Sequence, residues 1–295
     1  MMQAMIALVK REYLEHRGAF VFGPAILLGL MLLASLYMTW SVSFDARLHE
    51  EMSSALRFYE AAFAFLAAGW WIYLLVMLFF YFADAFSSDS RNNSMLFWKS
   101  MPQTDFKIFG AKMTAAFTVF PTAILLAVAI SGVIAYLPAF SAGNVLAGFS
   151  PPGPFETIGA YFNILAVAIV FYALGLLWYA PFFAWVGLLS VLFRRWAIPL
   201  AFLIPVTAGL FENLLTRRWE RDGGLILNFL KERMNFRFQG LDFETVWVLG
   251  EPWNAPGLIV RMFAGVNWTS LAGGLAVAVI LVFLASEYRR RYVLT

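Results

Sequence analysis

The chain has 295 residues, of which 62% are hydrophobic and 13% charged, and its formal net charge is +3. A mean hydropathy of +0.75 excludes an ordinary soluble domain and points to an integral membrane protein. Cysteine is absent, which excludes disulfides, thiolate catalysis and Cys-ligated metals. His16 and His49 form neither an H-E-x-x-H pattern nor a Ser-His-Asp constellation, and no basic patch interleaved with aromatics points to nucleic acid.

Residues 1–17 carry Met2, Met5, Ile6, Val9 and Tyr13 on one stripe, with Lys10, Arg11, Glu12 and Glu15 elsewhere on the wheel. The spacing predicts an interfacial helix before the first span. The uncharged run Gly18–Phe44 is too long for a signal-peptide core and no A-x-A site follows it, so it is expected to remain as a span at about Phe20–Trp40.

A polar loop follows, and then span two at Ala61–Ala83, where Trp70 and Trp71 sit mid-span and point to helix packing rather than to an interfacial belt. Residues 113–155 are uncharged but interrupted by Pro138 and by the SPPGP cluster at 150–154, which places span three at about Met113–Tyr136. The uncharged run Thr157–Phe193 has 37 positions. As one helix it would be roughly 55 Å long, against a hydrocarbon core of about 30 Å, and a break or kink near Pro181 is expected.

Arg194 and Arg195 close that run. Span five is about Trp196–Leu215, with Pro199, Pro205 and the ionisable Glu212, and span six is Met262–Ser286. Between them, residues 216–261 form an external loop with an amphipathic segment at Leu225–Phe238, which either re-enters the membrane or rests on its surface. With both termini cytoplasmic, the cytoplasmic segments hold twelve Lys and Arg, in agreement with the positive-inside rule. The loop 216–261 holds seven more, so a five-span chain with that loop inside is the competing topology. Either way the chain is one all-α, polytopic membrane domain, 1–295.

The stretch 84–112 stands out between the uncharged runs. Ser87, Ser88 and Asp89 supply N-cap side chains and Pro102 a stop, which predicts a short helix over about Ser90–Ser100. It would carry Leu96, Phe97, Trp98 and Met101 at or near water. By residue type alone, Phe97 and Trp98 fit an aromatic belt dipped into the lipid interface equally well.

The run R-N-N-S-M-L-F-W-K-S-M-P-Q-T-D, followed by Lys112, resembles the first cytoplasmic loop of the type-2 ATP-binding-cassette (ABC) export permeases. Arg91, Ser94, Leu96, Phe97, Trp98, Lys99, Ser100, Pro102 and Asp105 match the family pattern, while Thr104 stands where Ser is usual. Leu8 to Tyr13 and Glu15 to Gly18 are similar to the family's interfacial helix.

The resemblance implies six spans with an N-terminal interfacial helix and a cytoplasmic coupling helix that docks on a separate ATPase subunit. Arg91, Ser94, Leu96, Phe97, Trp98, Lys99, Pro102 and Asp105 would carry that contact. It also implies a bacterial cytoplasmic (inner) membrane location, export as the direction of transport, and a homo- or heterodimer of permeases. The chain has no G-x-x-x-x-G-K-[ST], so ATP and magnesium are expected at the partner ATPase and no enzyme activity in this chain.

Glu212 is a candidate gate at the outer mouth, weighed against a solvated helix end. The alternative function is an autonomous ion- or proton-coupled carrier, which would want carboxylates within its spans. Only Asp84 and Glu212 offer themselves, both near span ends. The abundance of Phe and Trp would suit an amphipathic or lipid-like cargo, or simply face lipid.

Overall fold

A computed structural model describes residues 2–41, 54–85, 105–145, 150–216, 224–241 and 253–292. Eleven α-helices occur among them. They are α1 Met2–Glu15, α2 Gly23–Ser41, α3 Ala55–Ala85, α4 Asp105–Thr114, α5 Phe120–Ile134, α6 Tyr136–Val145, α7 Pro154–Phe193, α8 Ala197–Thr216, α9 Leu225–Met234, α10 Ala255–Gly265 and α11 Trp268–Tyr292. Among the described residues there is no strand, and only an isolated bridge joins Phe238 to Leu241. Five stretches are long and apolar enough to cross a membrane: Gly18–Trp40, Ala55–Ala85, Phe106–Asn144, Pro154–Leu215 and Trp268–Arg291. The chain is therefore an all-α, multi-pass membrane protein.

Helices α3 and α7 form the centre. Their ring contacts ascend together, Phe63 with Tyr161, Trp71 with Tyr172 and Phe82 with Phe183, so the two helices run parallel. Helix α5 runs against them, since Tyr81 of α3 meets Phe120 while Trp70, further back along α3, donates to Ser131 Oγ at 3.0 Å. Lipid is as apolar as these side chains, so burial alone does not draw spans together; close packing and hydrogen bonds must. Gly132 lies directly against Phe63, where an added Cβ would come within 2.5 Å of the ring. Tyr172 supplies a hydrogen bond, donating to Ala67 O at 2.6 Å. Trp70 and Trp71 are 4% and 8% exposed, as expected for mid-span residues used in packing.

Helix α7 continues as α-helix through Pro181 for 40 residues, so the chain is not broken there. The interruption lies at Arg194–Trp196, a 3-10 turn in which Arg194 takes φ 49°. The chain reverses there: Phe182 and Phe202 approach to 6.2 Å between ring centres, and Trp185 Nε1 donates to Ala201 O at 3.3 Å. A continuous helix would hold residues twenty apart at about 30 Å.

Other boundaries shift from expectation. Span two begins at Ala55 and takes in Arg57 and Glu60, whose charges pair at 2.8 Å. The apolar helical stretch around span three runs from Phe106 to Asn144. Met262 belongs to the separate helix α10, and the last span starts at Trp268. Helix α9 lies inside the segment 216–261, and α10 begins in it and runs on to Gly265.

Two π-helical turns occur, Gly18–Phe22 at the start of the first apolar stretch and Ala115–Val119 between α4 and α5 in the third. They sit side by side, with Phe20 stacked on Phe120 at 3.9 Å. The wider turn has a local use: Gly23 N–H bonds to Gly18 O, and Ala19 O accepts the Tyr73 hydroxyl at 2.6 Å. A Cβ on Gly23 would come 2.5 Å from that hydroxyl.

Candidate functional site at the base of the bundle

The end of the bundle where α3 stops and α4 begins carries a buried polar node. In α4, D-F-K-I-F-G-A-K-M-T, the residues Ile108, Phe109, Ala111 and Lys112 are all at most 3% exposed. Three of them are apolar and pack like any inward face. Lys112 is a cation on the same face, and an unpaired buried ammonium would be costly enough to lose its proton or unfold its surroundings.

Its partner comes from the N-terminal helix. Lys112 Nζ lies 2.9 Å from Glu12 Oε1, and Glu12 is 3% exposed. The Tyr81 hydroxyl donates to Glu12 Oε2 at 3.0 Å and has Lys112 O within reach at 3.3 Å. This single hydroxyl therefore ties α3 to both members of the pair.

His16 stands one turn beyond Glu12, with Nε2 3.9 Å from Glu12 Oε2 and its ring edge-on to Tyr81 at 4.8 Å. Burial pushes the imidazole below its ordinary value, against the pull of Glu12 and Glu15 in the other direction. His16 is accordingly neutral near pH 7.

The last helix also holds α4. Arg289 of α11 is 2% exposed, and its guanidinium lies 5.2 Å from the centre of the Phe109 ring, a cation–π contact in a dry setting. The neighbouring Arg290 and Arg291 instead reach Glu287 at 2.7 and 2.6 Å on the surface. Helix α4 is thus clamped between the first and last helices of the chain.

Arg91, Ser94, Leu96, Phe97, Trp98, Lys99 and Pro102 lie outside the described residues, as does the helix expected over 90–100. Asp105 is the first residue of α4. The structure shows the mount of this loop: α3 delivers the chain into it, and α4, locked by Glu12, Tyr81 and Arg289, receives the chain from it.

Glu212 lies elsewhere, on α8. Its two carboxylate oxygens accept the backbone N–H groups of Leu225 and Ile226, each at 2.8 Å. It supplies negative charge and acceptors to the N-terminus of α9, where the first N–H groups have no partner within the helix. Gly224 permits the approach, since a Cβ there would come 2.6 Å from the carboxylate. The far end of α9 is fastened too. Arg233 lies over the Trp178 ring at 4.5 Å and donates to Trp178 O at 3.4 Å and to Ser270 O, while Trp178 Nε1 donates to Arg233 O at 3.0 Å.

Sequence reading set Glu12 on the polar side of α1. It is the inward one, with Val9 and His16 before and after it at helical spacing, and the signal available was Lys112, a lone cation inside an apolar stripe. Among the described residues no group of three or more His, Cys, Asp or Glu side chains is placed to hold a metal ion. The chain matches no protein-family model, no curated protein and no solved structure.

Proposed function

We propose that the chain is the membrane-spanning permease subunit of an ATP-driven ABC exporter, coupled through the loop 84–112 to a separate ATPase. The observation that carries this reading is the mounting of the loop. The segment that carries Leu96, Phe97, Trp98 and Lys99 leads straight into α4, which is fixed by a buried ion pair to α1 and by Arg289 to α11. A force applied to such a loop passes into the spans rather than being lost in a flexible hinge. The paired π-turns at Gly18–Phe22 and Ala115–Val119 lie just inside this node, where non-α turns of this kind often serve functional movement.

The topology proposed is six crossings with both termini in the cytoplasm. The stretch Pro154–Leu215 has 62 residues, about three times the length that one crossing needs, and the reversal at Arg194–Trp196 divides it into α7 and α8. Because α3 and α7 are parallel, an odd number of crossings joins them, and the α4–α5 stretch supplies one. In this arrangement the Arg and Lys of the base face the cytoplasm of a bacterial inner membrane. Phe97 and Trp98 act as anchors on the ATPase, with Arg91 and Lys99 pairing at its rim. ATP and magnesium bind to that partner, and two permeases, identical or related, form the substrate route.

Affinity purification of the tagged chain from native membranes, read by mass spectrometry, tests the proposal. One P-loop ATPase is expected with the native chain and not with the Phe97→Ala/Trp98→Ala variant. An ATPase retained undiminished by a folded double variant removes the coupling role, and no ATPase with either removes the exporter reading.

A further inference from the structure

A cavity of about 220 Å³ lies between α3 and α7. Ala64, Ala67 and Ala68 form its α3 wall at helical spacing, Ala168 and Phe171 stand across from them on α7, and Trp253 also lines it. Small residues at such spacing ordinarily let two helices close on one another. Here ring contacts brace the helices on either side of the alanines, Phe63 with Tyr161 at 5.5 Å before them and Trp71 with Tyr172 at 5.0 Å after. The gap therefore stays open by construction.

Its surface is almost entirely carbon. The Tyr172 hydroxyl in the wall is committed to Ala67 O at 2.6 Å. Water needs two to four polar partners to reside in a cavity, so hydrocarbon is the occupant whose chemistry fits. Depth points the same way. Ala67 is fourteen residues before Tyr81 on α3, about 21 Å along the helix from the polar node and inside a hydrocarbon core of about 30 Å. With the polar node at one interface, that depth falls among the acyl chains of the leaflet opposite the base.

We infer that this cavity is a binding site for one hydrocarbon chain of a lipid or lipid-like molecule drawn from that leaflet. The inference stands on the cavity itself and is independent of the ATPase partnership. A resident phospholipid and an exchangeable amphiphile share this chain chemistry.

The full-length protein is reconstituted in nanodiscs holding a trace of phosphatidylcholine with a diazirine in its acyl chain. It is then irradiated, and the adducts are mapped by peptide mass spectrometry. Adducts are expected on the peptides bearing residues 64–71 and 164–172. Ala168→Phe fills the cavity and lowers them about tenfold, the equivalent of about 1.4 kcal/mol of lost binding. Ile72→Ala, which alters a residue of α3 that is 61% exposed, leaves them unchanged. Should Ala168→Phe not fold, Ala68→Ile gives a smaller filling with the same expected direction. Displacement of the label by added dodecyl-chain amphiphile identifies an exchangeable ligand, and label surviving detergent exchange identifies a resident lipid; both support chain binding. Equal labelling of native and filled, folded proteins overturns it. So does a disulfide-linked dimer of Ala68→Cys, the sole thiol of that chain, because it would seat a second copy at the cavity.

Discussion

Glu12 and Lys112, a hundred residues apart in sequence, meet at 2.9 Å in a site where both are almost fully buried. The pair joins the N-terminal helix to the helix that receives the central loop, and Tyr81 adds the end of α3 to the same point. Removing one member leaves the other charged and dry, which costs about 3–5 kcal/mol. Lys112→Met and Glu12→Gln are each expected to lower the melting temperature sharply, followed by intrinsic tryptophan fluorescence. The double variant Glu12→Leu/Lys112→Met should recover most of the loss. Additive losses in the double variant would show that the two residues do not act as a pair.

Acid should weaken the same node through His16. Its folded-state value lies below the ordinary 6.5 because the ring is buried, with Glu12, Glu15 and Asp84 pulling it up and Lys112 pushing it further down. Between the folded value and 6.5 the unfolded chain binds the proton more readily, so stability rises with pH across that window. The contribution is complete above 6.5 and is lost as pH falls below it. His16→Phe should flatten the melting-temperature profile just below pH 6.5. An unchanged slope would assign the dependence to other groups.

Gly132 is placed against the face of Phe63, with no room for a methyl group. Gly132→Ala is expected to cost about 1–3 kcal/mol by overpacking, although alanine is the better helix former. Gly159, with open space around its Cβ position, serves as the comparison, and Gly159→Ala should be neutral or stabilising. Equal behaviour of the two variants in a thermal melt would count against tight α3–α5 packing.

Helix α9 is fastened at its first turn by Glu212 and at its last by Arg233. Glu212→Ala should cost about 1 kcal/mol, the usual loss on removing an N-terminal cap. Arg233→Ala should cost more, since it removes charge-assisted bonds worth about 1.5–3 kcal/mol each. Hydrogen exchange over residues 225–234 should accelerate in both variants, while exchange in α3 and α7 stays as in the native chain. If transport fails in Glu212→Gln with exchange unaltered, Glu212 has a gating role beyond its capping one.

Composition and the positions of uncharged runs determined that this is an all-α, multi-pass membrane protein. Hydropathy depends only on which side chains the chain carries, and a backbone in lipid must satisfy itself as helix. The SPPGP cluster marked a helix start correctly, but proline within an uncharged run was a poorer guide. Pro181 lies inside an unbroken helix, because neighbouring spans can compensate a lost backbone bond, and the reversal falls instead on Arg194–Trp196.

What only the tertiary structure decided is partnership between distant residues. Periodicity set Glu12 on the wet side of α1, for a carboxylate taken alone belongs in water. Its burial follows from Lys112 and Tyr81, which lie 100 and 69 residues away. Glu212 read as a gate or a solvated helix end, and only the fold brings the first turn of α9 to its oxygens. A sequence lists charges and volumes one at a time, and their energies are fixed by what the fold places within 3 or 4 Å of them.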